Sequence, residues 1–172
     1  QTGGVGSFAQ VSDGMHSWYA VAVNYSTGDV WAANNTDNAI TLQTSGTGVF
    51  NIYQSLSSVR DLAVNSVTGD VFACVNNGDI YKLTGGVGSF TALSVGNKAW
   101  TGVAVNTVTG DVWACVLGGA IYKQAGGVGT FQYATTGVKS WTGIAVDSIS
   151  GEVWASVQYS GLYLKASNSQ VF

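Results

Sequence analysis

The stretch Trp100-Thr-Gly-Val-Ala-Val-Asn-Thr-Val-Thr-Gly-Asp-Val-Trp-Ala-Cys-Val116 decides the fold. Gly102 and Ala104 alternate with Val103 and Val105, and Val112, Ala114 and Val116 alternate with Trp113 and Cys115. A period of two marks a strand, and the β-branched and aromatic residues that fill it reinforce the reading. Between the two runs, Thr109-Gly110-Asp111 supplies the positive-φ residue that a hairpin loop of about four or five residues needs. The stretch is therefore a β-hairpin. The chain states it four times, with copies beginning at Trp18, Val59, Trp100 and Trp141. The other turns read Thr27-Gly28-Asp29, Thr68-Gly69-Asp70 and Ser150-Gly151-Glu152.

Working outward, one Phe marks the same place in every unit: Phe8, Phe50, Phe90, Phe131 and Phe172, spaced by 42, 40, 41 and 41 residues. Gly-Gly-Val-Gly runs precede it from Gly3, Gly85 and Gly126, and Gly46-Thr-Gly-Val is a shorter version. After each hairpin a second turn leads to Ile80-Tyr81-Lys82, Ile121-Tyr122-Lys123 or Leu162-Tyr163-Leu164, and the first unit departs with Ile40-Thr41-Leu42. In the third unit the pattern predicts strands over Thr101–Asn106, Asp111–Val116, Ala120–Lys123 and Thr130–Ala134. Four short antiparallel strands in a repeat of about 41 residues match the blade of a β-propeller. The expected fold is thus all-β, a β-propeller-type array of four four-stranded antiparallel blades in one domain of 172 residues. The repeats run approximately over 12–54, 55–95, 96–136 and 137–172. Large residues on one face of a blade would pack into the small face of its neighbour, covering both faces of each sheet.

Trp100-Thr-Gly-Val-Ala-Val, Thr109-Gly-Asp-Val-Trp and Ala120-Ile-Tyr-Lys resemble the propeller repeats of the tectonin and NHL kind, and the likeness covers essentially the whole chain. Many tectonin-like proteins are lectins or surface-recognition proteins, and NHL propellers are mostly interaction platforms. The resemblance therefore implies a propeller and a role in recognition or interaction.

The phase of the repeat gives one more expectation. The chain opens with an outer strand, residues 7–11, ahead of the first hairpin, and that strand can complete the last blade. Residues 166–172 repeat the approach to the same kind of strand and reach its Phe. Two segments thus compete for one slot. Either the tail is spare, with the array closed in cis, or the amino-terminal strand completes the last blade of another subunit. Strand exchange of that second kind would link copies head to tail or complete a larger ring.

Composition narrows the chemistry. Charged residues make up 9%, the net charge is -3, and six Lys and Arg are scattered along the chain, which leaves no basic footprint for nucleic acid. Apolar residues come in short runs, none near the length that would insert in a membrane as a helix. Scarce Lys and Glu with abundant Ser, Thr, Asn and Gly lean toward an extracellular, cell-surface or virion-surface setting. Asn24-Tyr-Ser26 and Asn34-Asn-Thr36 fit the N-glycosylation acceptor rule.

Candidate chemistry is sparse. His16 is the only histidine and has no matching nucleophile signature, so no catalytic residue is assigned and the chain reads as a non-enzyme. No cofactor motif occurs, and the Gly-Gly-Val-Gly runs precede strands rather than helices. Cys74 and Cys115 fall at one small-residue position of consecutive repeats, too far apart for a disulfide and too few for zinc. Asp29, Asp70, Asp111 and Glu152 give one turn carboxylate per unit, which is turn chemistry and makes no metal site. The candidate ligand residues are a basic side chain two before an indole: His16 and Trp18, Lys98 and Trp100, Lys139 and Trp141. In a loop between blades that pair could hold a glycan, the indole offering an apolar face and the cation its hydrogen bonds. The competing reading has the Trp sealing adjacent blades with the Lys lying over it. Two functions follow. The first is a structural or adhesive repeat protein that self-associates through its terminal strands; the second is a lectin-like module using the Lys/His-x-Trp loops.

Overall fold

The computed structural model describes residues 9–11, 16–135 and 137–167. Each repeat folds as a small antiparallel sheet. The first contains β1 (Trp18–Val23), β2 (Val30–Asn34), β3 (Ala39–Gln43) and β4 (Asn51–Ser55), hydrogen-bonded in that order. The second holds β5 (Val59–Val64), β6 (Val71–Gly78), β7 (Ile80–Leu83) and β8 (Thr91–Ala92). The third holds β9 (Lys98–Val105), β10 (Val112–Gly119), β11 (Ile121–Gln124) and β12 (Gln132–Tyr133). The last holds β13 (Lys139–Val146), β14 (Val153–Val157) and β15 (Leu162–Lys165). No closed sheet joins the two ends among the described residues.

Two expected boundaries move for one reason. β9 begins at Lys98 rather than Thr101, and β10 runs on to Gly119, because the ends of these strands pair between neighbouring sheets. Asn76 and Gly78 of β6 pair with Ala99 and Lys98, and Leu117 and Gly119 of β10 pair with Ser140 and Lys139. The outermost strand is shorter than expected, Gln132–Tyr133 rather than Thr130–Ala134, since its side chains are exposed and little burial holds it. Of the expected amino-terminal strand, residues 9–11 lie in no strand and residues 7–8 fall outside the described residues. The tail from 168 onward also falls outside them, and β15 has no fourth strand beside it among the described residues.

The core lies between sheets. Trp31, Ala33 and Ile40 of the first sheet pack on Val59, Leu62, Val64 and Val71 of the second. Phe72, Cys74 and Ile80 pack on Trp100, Val103, Val105 and Val112, and Trp113, Cys115 and Ile121 on Trp141 and Val153. The turn and the Gly-rich run recur together because they touch. Gly110 has φ +77, and a Cβ there would stand 3.2 Å from the backbone of Gly126. Asp111 accepts the Gly126 N–H at 2.9 Å and pairs with Lys123 at 2.6 Å. Asp70 does the same with the Gly85 N–H and Lys82.

Candidate functional site

The first strand of every sheet breaks register at the same point, between Trp18 and Ala20, Val59 and Asp61, Trp100 and Gly102, and Trp141 and Gly143. The extra residue of such a bulge leaves the ladder and its side chain is re-aimed. Those residues are Tyr19, Arg60, Thr101 and Thr142, and all four line one depression of about 420 Å³ together with Asn76 and Gln158. Arg60 is the one arginine of the chain, and its guanidinium carbon lies 5.0 Å from the centre of the Tyr19 ring. Hydroxyl, amide and guanidinium groups around an aromatic face can bind a hydroxyl-bearing or anionic group. The sequence signal was present, in the residue that follows each Trp or Val at the hairpin start, but the bulge that aims it is not written in a period of two.

The Lys/His-x-Trp residues divide. Trp100 and Trp141 are fully buried between sheets, so neither indole offers a face to a sugar. Lys98 and Lys139 sit on β9 and β13 rather than in loops, held there by the pairing with Gly78 and Gly119. The Lys98 ammonium lies 5.7 Å from the Trp100 ring and 5.4 Å from the Tyr122 ring, and it donates to the Val95 carbonyl at 2.9 Å. Lys139 lies 5.0 Å from the ring of Tyr163. The third-strand tyrosines thus complete both clusters, and burial with the neighbouring Tyr133 pushes the Tyr122 hydroxyl up to about 12. In the first repeat Trp18 is partly exposed, 5.3 Å from the His16 ring and 5.5 Å from Phe50. His16 Nδ1 lies 3.3 Å from Asp37, which accepts from Asn34 at 2.6 Å. The structure therefore brings Lys, indole and a tyrosine ring together in two repeats and His16, Trp18 and Phe50 together in the first, and of the three indoles leaves only Trp18 open.

The remaining titratable groups serve the scaffold. Burial raises the Asp111 carboxyl, yet the Lys123 ammonium and the Gly126 N–H outweigh it and hold the group below the usual value. Asp61, on β5, was not singled out by any pattern. It accepts the Leu62 N–H at 2.9 Å and, across to the third sheet, the Val103 N–H at 3.0 Å. Burial pushes its carboxyl up to about 6 against those two hydrogen bonds. Cys74 and Cys115 are free, buried thiols beside it, and burial raises both, Cys115 to about 11. Among the described residues no three His, Cys, Asp or Glu side chains converge as metal ligands, and no helix is long and apolar enough to cross a membrane.

No protein-family model matches the chain, and no curated protein does. Solved structures are similar. A chain of a nidogen/laminin complex aligns with a TM-score of 0.73 and 12% identity, over 90% of this chain and 62% of that one. The β-propeller domain of Swd1 from Myceliophteria thermophila aligns at 0.66 and 13% identity, over 88% and 54%. The fold is that of a β-propeller array. YCF48 from Cyanidioschyzon merolae is similar at 0.69 and 17% identity, over 87% of this chain and 50% of its own. The computationally designed Ika4 protein is similar at 0.67 and 17% identity, over 93% and 99%. The chain thus spans 50% to 62% of the three natural propeller chains, and each sheet described above is a blade or a part of one.

Proposed function

We propose that the chain is a non-enzymatic structural and adhesive repeat protein of an extracellular or phage-type surface assembly. In this reading it is a four-bladed array of about 41-residue repeats, tectonin-like or NHL-like, that joins further copies through its ends. One observation carries it: the outer faces of the first and last blades are apolar and open, with Val21, Val23, Trp154 and Leu162 exposed. Apolar patches of that kind on a polar protein mark contact sites. The third strand of the last blade pairs on one side only among the described strands, and this reading assigns the added strand, in cis or in trans, to residues 7–11 or 166–172. Exposed Tyr25, Val67, Val108 and Ile149 at the hairpin tips add an adhesive rim, one per blade. Sedimentation velocity up to high micromolar concentration, with negative-stain microscopy, tests the reading. Discrete oligomers or end-to-end chains are expected, and a protein that stays an isolated monomer throughout overturns it.

The carbohydrate reading has its own observation, the depression into which Tyr19, Arg60, Thr101 and Thr142 converge. Buried Trp100 and Trp141 move that reading away from the Lys-x-Trp pairs and toward this mouth. A glycan array probed with the intact chain, Arg60→Ala and Lys98→Ala tests it. Binding lost in Arg60→Ala and kept in Lys98→Ala supports the mouth; no binding to any glycan removes the reading.

A further inference from the structure

Every blade has a forward face toward the next blade and a rear face toward the one before. The forward face carries an aromatic residue from its second strand, Trp31, Phe72, Trp113 or Trp154. On the same face, Ile40, Ile80, Ile121 and Leu162 of the third strand pair with the second-strand residue two beyond the aromatic, Ala33, Cys74, Cys115 and Ser156. In the first three blades the aromatic is 2%, 1% and 5% exposed and each Ile 0%, whereas Trp154 is 43% and Leu162 74% exposed. On the rear face, Leu62 and Val103 are 4% and 3% exposed, whereas Val21 at the same position of the first blade is 65% exposed. Trp18 stands open where Val59, Trp100 and Trp141 are sealed. Each open face is a depression, one of about 380 Å³ lined by Trp18, Val21, Ala32 and Phe50, the other of about 270 Å³ lined by Ala145, Trp154 and Leu162.

One register position compares the open forward face with the covered ones. Opposite the aromatic, the third strand carries Leu42, Lys82, Lys123 and Leu164 in blade order. The two lysines lie at covered junctions and pair with Asp70 and Asp111. Leu164 lies on the uncovered face and is itself exposed. Repeat arrays that end in water need a polar cap on the terminal repeat. Leu164 matches Leu42 of the covered first junction rather than the Lys of the second and third, so the open forward face has the character of a covered one, and neither open face carries a charged side chain among its lining residues.

We propose that the forward face of the fourth blade seats on the rear face of the first blade of a second copy, repeating the internal junction. Trp154 takes the place at Phe50 of the partner subunit that Trp31 takes at Phe90, where the ring centroids are 6.2 Å apart. Leu162 meets Trp18 of the partner subunit as Ile121 meets Trp141 in the third junction. The proposal rests on the self-association reading and names its joint. Two different faces meet, so the contact is heterologous.

Sedimentation velocity of the intact chain, Trp154→Glu, Val21→Glu and an equimolar mixture of the two variants tests the joint. Both side chains are exposed in the single chain, so circular dichroism of the variants should match the parent, as should melting at concentrations too low for assembly; Leu162→Glu replaces Trp154→Glu if that variant misfolds. The parent is expected to assemble and each variant to lose assembly by at least about 100-fold, the loss of a central interface anchor. The mixture is expected to recover a dimer, because Val21→Glu keeps a sound forward face and Trp154→Glu a sound rear face. If the parent assembles and the single variants still do, the joint lies elsewhere and the inference falls while self-association stands. One variant monomeric and the other assembled indicates like faces meeting and overturns it too, as do two monomeric variants that fail to recover on mixing. A monomeric parent removes both readings.

Discussion

Replacing Asp61 by Asn turns a buried carboxyl into a neutral group of the same shape, and the structure fixes the sign of the result at each pH. Asp61 bridges the second and third blades through the Val103 N–H, and burial pushes its carboxyl up to about 6 from 3.8. A folded-state value above the unfolded one means the folded chain holds a proton that the unfolded chain has lost. The contribution of Asp61 to stability is therefore greatest below about pH 4, falls as pH rises, and is flat above about pH 6. About two units at 1.36 kcal/mol each make the loss at most about 3 kcal/mol. Asn carries no such penalty but offers one acceptor oxygen for the two backbone N–H groups, a cost of about 1 kcal/mol. Asp61→Asn should thus be less stable than the parent by about 1 kcal/mol near pH 4 and more stable by about 2 kcal/mol at pH 7. Urea unfolding followed by tryptophan fluorescence reads this directly. With a slope of about 2 kcal/mol per molar, the midpoint difference should swing by about 1.5 M between the two pH values. Asp111 and Asp147 are held below the usual value, so their own contributions are lost only under more acidic conditions, and the Cys74 and Cys115 thiols titrate far above the window. A variant destabilised equally at pH 4 and pH 7 would refute the reasoning, because the carboxylate would then contribute hydrogen bonds without a burial cost.

Gly110→Ala should destabilise by about 2–3 kcal/mol in the same assay, combining a positive φ with a Cβ pressed on Gly126, whereas Gly129→Ala, at φ +75 with nothing within 4 Å, should cost only about 1 kcal/mol. Asp111→Ala removes the acceptor of the Gly126 N–H and the partner of Lys123, and should cost about 1–2 kcal/mol at neutral pH. Cys74 and Cys115 should resist a thiol reagent in the native chain and react fully in urea; Cys115→Ala should stay within about 1 kcal/mol of the parent, since Ala33 fills that register position, equally buried, in the first blade.

The hairpins and their turns were legible because local chemistry decides them: alternation sets the strands, and Gly110 and Asp111 set the turn. The forward and rear faces were half legible. The large and small faces could be read from Trp113 against Ala114, but the neighbour each one meets depends on the direction in which the array winds. That is why Trp100 could be read both as a ligand platform and as a seal, and why burial distinguishes them. Strand ends such as Lys98 and Gly119 were not legible, since pairing between sheets adds residues that a period of two within one strand does not mark. Asp61 was the least legible of all. It occupies a position held by Ala20, Gly102 and Gly143 in the other blades, and only the approach of the Val103 N–H from the next blade gives a carboxylate there a partner.

The low charge of the chain and its open ends have one physical origin. In an array where each repeat touches only its neighbours, stability is a sum of repeat and junction contributions, and every face is shaped for a junction. A face that alternates Trp, Ile and small residues is sound in the middle and exposed at an end, because the same register positions serve both. A chain meant to stand alone would break the pattern in its outer repeats. This one does break it in its outer repeats, but not by adding charge. Leu42 of the first repeat and Leu164 of the fourth stand where the second and third carry Lys82 and Lys123, so the departures make the two outer repeats less charged rather than more. Repetition explains why blades two and three fold; it does not require uncharged faces at Trp154 and Val21, and under the proposed joint those two faces meet across a pair of molecules.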